Sequence, residues 1–258
     1  MIRWRLSRVS DLLDCLPGKC RRGSKPRCHL LTHGSPAQVA ARLTDLIAPW
    51  GTVAPEDKWM PQGFDIIEEA QLDNAPRLLP DECDRKELQD WWLALPATTP
   101  NWDIASTCTI DGKTGLLLVE AKAHDEELIG EEVGKRLDAN ASGGSIKNHA
   151  HIENAIRGAN TALNAILPGW DLSRASHYQM SNRFAWSWKL TELGFPVILV
   201  YLGFTYAVEM LDRGMPFVSG AIWQQLVEAH SEPLFPSHVW NHKLIVNGQA
   251  FIPLIRSI

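Results

Sequence analysis

An uninterrupted apolar run, residues 196–201 (PVILVY), is the feature that most constrains how this chain can fold. A strand exposed on one face alternates apolar and polar residues, whereas an unbroken run is typical of a strand covered on both faces. The preceding segment, from Ser173 or Ser176 to Leu193, has a helical pattern that Gly194 can close. The sequence therefore predicts a helix that leads directly into an interior strand of an α/β domain.

The composition excludes several classes of protein. Of the 258 residues, 45% are hydrophobic and 21% are charged, and the formal net charge is −5. These values exclude disorder as the main state and provide no global attraction to nucleic acid or anionic lipid. A polyanion would need a local patch, for which the basic cluster of residues 19–27 is a candidate; a solvated loop is the favoured alternative.

Several features of the sequence indicate a cytoplasmic protein. The longest uncharged stretch, residues 193–208, is shorter than the roughly 20 apolar residues of a membrane helix, and residues 1–8 begin no apolar signal segment. An odd number of cysteines, five, predicts no disulfide framework. Because Cys15, Cys20 and Cys28 lack the spacing of a tight zinc-binding turn, we expect ordinary thiols rather than a zinc site.

The first part of the chain is the harder part to interpret. Ser35-Pro36 begins a helical pattern that ends before Pro49. Prolines interrupt residues 51–80, although residues 64–72 could supply two helical turns that carry Glu68 and Glu69. We expect residues 1–80 to be an N-terminal elaboration of a domain formed by residues 81–258, within one compact unit.

The central part predicts a helix and a hairpin. Asp81 can cap a helix that runs through Leu95. Residues 102–110 are rich in strand formers, Asp111-Gly112 is a strong hairpin signal, and residues 116–119 are apolar. Two adjacent antiparallel strands follow from this pattern.

The remaining segments predict a loop, two helices and a second hairpin. Residues 139–145 (ANASGGS) predict a flexible loop or lid that is mobile without substrate. A helix is expected from Asn148 to Leu167 and another over residues 222–230, and Asn247-Gly248 indicates a hairpin turn.

Charged side chains converge at the end of the second predicted strand. Alternation along the strand places Glu120 and Lys122 on one side, and the hairpin pairing places Asp103 opposite the end of that strand. Two carboxylates without a neutralising partner repel each other and are costly to desolvate. A hard divalent cation bound by Asp103, Glu120 and the backbone carbonyl of Ala121 would relieve this repulsion.

This pattern resembles the PD-(D/E)XK nuclease superfamily. It contains Asn101-Trp102-Asp103, sixteen intervening residues and then Glu120-Ala121-Lys122, with Trp102 in place of the usual Pro. The resemblance covers residues 82–204 and implies a restriction-endonuclease-like mixed sheet flanked by helices. It also implies Mg²⁺ (or Mn²⁺) as cofactor, Asp103 and Glu120 as metal ligands, and Lys122 as the group that orients the attacking water. DNA would be the substrate, and phosphodiester hydrolysis the reaction.

An acid-x-Lys triplet has little specificity by itself, because Glu56-Asp-Lys58, Asp84-Arg-Lys86 and Asp111-Gly-Lys113 also match. Only Glu120-Ala-Lys122 ends an apolar strand. The alternative interpretation is a surface ion pair that contributes about 0–1 kcal/mol.

Further candidate site residues lie outside the hairpin. Gln179, Asn182 and Arg183 share one face of the helix before the interior strand and are expected to bind substrate, with a solvated helix face as the alternative. Trp186 is expected in the core. By the resemblance, an additional acidic metal ligand is expected at Glu68 or Glu69, which we favour over Glu87.

Function classes that depend on glycine-rich motifs are disfavoured. The chain contains no P-loop, dinucleotide-binding or G-x-S-x-G motif. The leading hypothesis is a metal-dependent DNA nuclease. The alternative is a catalytically inactive nuclease-fold module that binds nucleic acid or a protein partner, and a homodimer is compatible with both.

Overall fold

The computed structural model describes residues 12–258. The prediction for residues 1–8 lies outside this range. The strands are β1 (Trp59–Met60), β2 (Ala70–Gln71), β3 (Asn101–Trp102), β4 (Ile104–Ile110), β5 (Lys113–Lys122), β6 (Val197–Gly203), β7 (Leu244–Val246) and β8 (Gln249–Ser257). The α-helices are α1 (Ser24–Leu31), α2 (Pro36–Ile47), α3 (Glu82–Trp92), α4 (Glu126–Ile129), α5 (Gly143–Ile166), α6 (Tyr178–Glu192) and α7 (Gly220–Ser231).

Six strands form one mixed sheet in the order β1-β4-β5-β6-β8-β7. The pairs β5–β6 and β6–β8 are parallel, and the other neighbours are antiparallel. The predicted interior strand is confirmed, because β6 lies between β5 and β8 and every residue of it is buried. The predicted α/β class with a mixed central sheet flanked by helices is likewise confirmed.

The side chains of β5 alternate between two hydrophobic cores, as the sequence predicts. Leu116 and Leu118 face a core that includes residues of α3, α5, α6 and α7. Leu117, Val119 and Ala121 face the other core, which includes residues of α1 and α2. Helices from the first 80 residues therefore cover one face of the sheet that carries the candidate site.

Both predicted hairpins are confirmed. Strands β4 and β5 pair antiparallel around Asp111 and Gly112, whose φ values of 49° and 76° match a turn that needs two left-handed residues. Asn247 and Gly248 have φ values of 48° and 73° between β7 and β8. In both turns the local sequence is sufficient to predict the hairpin, because few residue types adopt positive φ without strain.

The helical turns predicted over residues 64–72 are wrong. The segment contains an isolated bridge between Gln62 and Ile66 and then β2, which pairs with β3. Ala70 faces Trp102 across this two-stranded ribbon. Pairing with a distant segment therefore overrides the weak local helical pattern.

The predicted loop at residues 139–145 is partly wrong. Helix α5 begins at Gly143, not at Asn148, because the Ser142 hydroxyl accepts a hydrogen bond from the backbone N–H of Ser145 at 3.1 Å. Such an N-cap stabilises a helix by about 1 kcal/mol. The mobility of residues 139–142 stays a prediction.

The basic cluster of residues 19–27 is not a simple loop. Lys25 and Arg27 lie on α1, and the cluster forms ion pairs with acids elsewhere in the chain. These pairs are Arg21–Asp14, Arg22–Asp212, Lys25–Glu69 and Arg27–Glu209. Much of its charge is thus neutralised internally. Within residues 12–258, no helix is both long and apolar enough to cross a membrane.

Candidate active site

The site forms where β5 ends and β4 begins. Ile104 pairs with Val119, so Asp103, one residue before β4, lies across from the end of β5. The Asp103 Oδ2 atom accepts a hydrogen bond from the backbone N–H of Ala121 at 2.8 Å. Asp103 is therefore held against the Glu120-Ala-Lys122 segment, as the hairpin predicts.

Glu120 is a buried carboxylate with cationic and amide partners. Lys122 Nζ lies 2.6 Å from Glu120 Oε1, and Arg183 Nε donates to Glu120 Oε2 at 2.6 Å. The Gln179 side-chain amide also donates to Oε1. Burial opposes ionisation of Glu120, but the charges of Arg183 and Lys122 outweigh it and lower the pKa of this carboxyl. Glu120 is thus ionised at neutral pH.

Lys122 bridges two acids. Its Nζ atom contacts Glu120 and also lies 2.6 Å from Glu131 Oε1 in the turn after α4. Burial favours the neutral amine, but the charges of Glu120, Glu131 and Asp103 raise the pKa of Lys122 above its ordinary value. The lysine is therefore a fixed cation that holds two carboxylates.

Asp103 is the acid of the site without a direct cationic partner among residues 12–258. Burial, together with the charge of Glu120, raises the pKa of Asp103 to about 8. The charge of Lys122 and the hydrogen bond from Ala121 only partly offset these effects. A further positive charge near Asp103 would stabilise its ionised form.

An open cavity of about 420 Å³ gives access to these carboxylates. Its lining includes Asp103, Glu120, Gln179 and Arg183, together with residues from the segments before β3 and from β3 itself; these are Glu69, Gln71, Thr98, Thr99 and Asn101. The walls are thus almost entirely polar.

Of the two acids proposed as an additional ligand, only Glu69 lines the cavity. Its Oε1 lies 2.7 Å from Lys25 Nζ, and its Oε2 accepts a hydrogen bond from the Asn101 amide at 3.1 Å. Glu68 does not line the cavity, and Glu87 pairs with Lys189 at 2.8 Å. An additional metal ligand at Glu69 stays a prediction, with the residue on the cavity wall.

The three polar residues predicted on α6 have different environments. Gln179 and Arg183, four residues apart, both contact Glu120 and line the cavity. Asn182 is buried but does not line the cavity. Trp186 lies in the core against Trp91 and Trp92, as predicted.

Arg183 also stabilises the strand before the site. It donates to the backbone carbonyl of Asn101 at 2.7 Å, and its guanidinium lies 4.6 Å from the ring centroid of Trp102. Its Nη1 atom is buried without a hydrogen-bond partner among residues 12–258. One buried donor of Arg183, a residue that lines the cavity, is therefore without a hydrogen-bond partner.

Sequence reasoning missed Glu131 and Lys25 as neighbours of the site. Glu131 lies in a polar stretch that resembles a solvated loop, and Lys25 belongs to the basic cluster. No periodic pattern links either residue to β5, because both approach it through tertiary packing. Only the rule that a buried lysine needs partners could have indicated a second acid.

The carboxylates that line the cavity and can hold a hard cation are therefore those of Asp103, Glu120 and Glu69, whereas Ala121, whose backbone carbonyl is predicted as a ligand, does not line the cavity. Their oxygen donors suit Mg²⁺ or Mn²⁺. No family model, curated protein or solved structure matches this chain. The function is therefore inferred from the arrangement of these side chains.

Proposed function

We propose that the protein is a divalent-metal-dependent nuclease with a restriction-endonuclease-like fold, acting on DNA in the cytoplasm with Mg²⁺ (or Mn²⁺). The observation that carries this proposal is the open polar cavity whose lining includes Asp103 and Glu120, beside a buried lysine. Metal-dependent hydrolysis of a phosphodiester in DNA uses cation ligands, a group that orients water, and a cavity that the polymer can reach.

The fit to a hard cation rests on the donor set and on Asp103. The raised pKa of its carboxyl reflects burial beside Glu120 without a neutralising partner of its own among residues 12–258. A divalent cation, when bound, supplies charge neutralisation and Lewis-acid activation of the phosphate and the attacking water.

The protein's own groups would perform the remaining tasks. Lys122, held by Glu120 and Glu131, presents a fixed positive charge that can orient a water molecule and stabilise charge on the phosphate. Gln179 and Arg183 keep Glu120 in place, since they donate hydrogen bonds to its Oε1 and Oε2 atoms respectively.

The test is a cleavage assay with purified full-length protein on linear, circular and single-stranded DNA and on RNA. We expect cleavage of DNA with Mg²⁺ or Mn²⁺ and none with a chelator. Asp103→Asn should abolish cleavage without loss of the fold, since the introduced amide oxygen can still accept the hydrogen bond from Ala121. The matched control is Asp111→Asn, an equally conservative change in the exposed turn of the same hairpin.

A second candidate function is an inactive nuclease-fold module that binds nucleic acid or a protein partner. The observation that favours it is that Glu120 already contacts Lys122, Gln179 and Arg183, which leaves little free coordinating capacity. Retention of DNA without cleavage of any substrate, in the presence of Mg²⁺ or Mn²⁺, would support this candidate over the nuclease.

A further inference from the structure

A second cluster of ligating side chains lies behind the candidate active site. Glu132, His177 and His230 each offer one ligand atom, and these atoms lie within 4.8 Å of one another. They come from the turn Gly130–Glu132, the residue before α6 and the last turn of α7. Three separate elements therefore converge at one point.

The two imidazoles are poorly satisfied without a ligand. His177 Nδ1 and His230 Nε2 are both buried without a hydrogen-bond partner among residues 12–258. The side chain of His230 is only 4% exposed, and its Nε2 lies 3.5 Å from Glu131 Oε2 without forming a hydrogen bond. A buried polar nitrogen that lacks a partner destabilises the fold, because its lost hydration is not replaced. A shared ion would satisfy both nitrogens at once.

Two of the segments that form the cluster are joined by backbone hydrogen bonding. The backbone N–H of His177 donates to the carbonyl of Glu132 at 3.3 Å, and Val133 forms an isolated bridge with Ser176. The two imidazole rings are tilted by 59° with centroids 4.6 Å apart, so they are not stacked face to face. The three ligand atoms, within 4.8 Å of one another, are thus close to the separation that a shared ion requires.

We propose that Glu132, His177 and His230 bind a divalent transition-metal ion of the zinc class, separate from the Mg²⁺ site at Asp103 and Glu120. Two imidazole nitrogens and a carboxylate form a borderline donor set that suits Zn²⁺ and Co²⁺, whereas Mg²⁺ prefers oxygen ligands. Burial and the neighbouring His230 lower the pKa of His177, which favours the neutral imidazole that a metal requires.

The ion would connect to the candidate active site through Glu131. This buried acid lies 2.6 Å from Lys122 Nζ and 3.5 Å from His230 Nε2. A cation at His230 would orient the Glu131 carboxylate and, through it, Lys122. The binding site itself does not depend on nuclease activity.

The experiment is a titration of the chelator-treated full-length protein with Zn²⁺ and Co²⁺, followed by calorimetry, visible absorption and thermal unfolding. We expect one ion to bind at the histidine cluster, with a Co²⁺ spectrum that lacks a thiolate charge-transfer band, and a higher Tm with Zn²⁺. Glu132→Gln changes an exposed residue and should fold normally, yet it should weaken binding by at least about tenfold. His177→Gln with His230→Gln should abolish binding.

Two control variants test whether metal binding is specific to this cluster. Asp111→Asn, in the exposed hairpin turn, should leave Co²⁺ affinity within about twofold of wild type, since Asp111 belongs to neither proposed metal site. Cys15→Ser, Cys20→Ser and Cys28→Ser together should also leave it unchanged. The proposal fails if wild type binds neither ion, or if the Glu132 and histidine variants bind as tightly as wild type, in which case an ordered water between the imidazoles is the better account.

Discussion

Two acid-x-Lys triplets occur on the same hairpin, and they differ in almost every physical respect. Asp111-Gly-Lys113 forms the exposed turn, where Asp111 pairs with Lys243 at 2.8 Å and Lys113 donates to Gln249 at 3.0 Å. Glu120-Ala-Lys122 ends β5 in the protein interior, where acid and lysine contact each other directly.

The acid-x-Lys pattern therefore determines the properties of these residues less than their burial does. In the turn, water screens each charge, so a pair contributes little. At the end of β5, the same residue types are desolvated and must neutralise one another. The raised pKa of Asp103 and the shared position of Lys122 follow from that burial, and these properties are the ones that a catalytic site uses.

The largest expected difference between the triplets is in catalysis. Asp103→Asn or Glu120→Gln should lower metal-dependent DNA cleavage by at least about a hundredfold, because loss of a cation ligand removes several kcal/mol of transition-state stabilisation. Asp111→Asn should retain wild-type rates. Initial rates at saturating Mg²⁺, with circular dichroism to confirm folding, provide the measurement, and equal losses in all three variants would contradict the comparison.

The next difference is in stability. Lys122→Ala leaves Glu120 and Glu131 buried without their shared cation, and we expect a cost of about 3–5 kcal/mol in the free energy of unfolding. Lys113→Ala at the exposed turn should cost less than about 0.5 kcal/mol. Urea unfolding of both variants measures this difference, and Lys122→Ala should also lose turnover while it still binds metal.

A third difference concerns pH. The pKa of the Asp103 carboxyl is near 3.8 in the unfolded chain but about 8 in the fold, so the folded protein holds an extra proton between these values. Stability of the metal-free protein should therefore fall as pH rises through this window, by at most about 1.4 kcal/mol per pH unit. Asp103→Asn should flatten the slope, whereas Asp111→Asn should not change it. An unchanged slope in Asp103→Asn, from urea unfolding with chelator present, would refute the burial argument.

The smallest expected effect tests the exposed pair itself. A double-mutant cycle between Asp111 and Lys243 should give a coupling energy of about 0.2–1 kcal/mol that weakens with salt. Asp111→Asn and Lys243→Met suit this cycle, because Asn tolerates the positive φ at position 111. A coupling energy above about 2 kcal/mol would show that water does not effectively screen the ion pair in this turn.

Much of the site follows from local rules. Period-two alternation puts Glu120 and Lys122 on one face of β5, and the Asp111-Gly112 turn sets the register that brings Asp103 to its end. The apolar residues of β6 indicate an interior strand beside it. These rules act through neighbours in sequence or across one hairpin, so they can be applied without knowledge of the fold.

Other features depend on contacts between distant elements. Glu131 meets Lys122, Arg183 meets Glu120, and His177 meets His230 only after α6 and α7 pack beside the sheet. The same is true of residues 64–72, where pairing of β2 with β3 replaces the expected helix. Such contacts have no periodic signature, because each depends on the relative placement of whole elements.

The sequence by itself thus determined the α/β class, the hairpins and the convergence of Asp103 with Glu120 and Lys122, because backbone geometry dictates these locally. Tertiary structure alone decided which charges neutralise each other and which histidines converge. The physical reason is that desolvation makes a buried charge or imidazole depend on all of its neighbours, and those neighbours are chosen by packing.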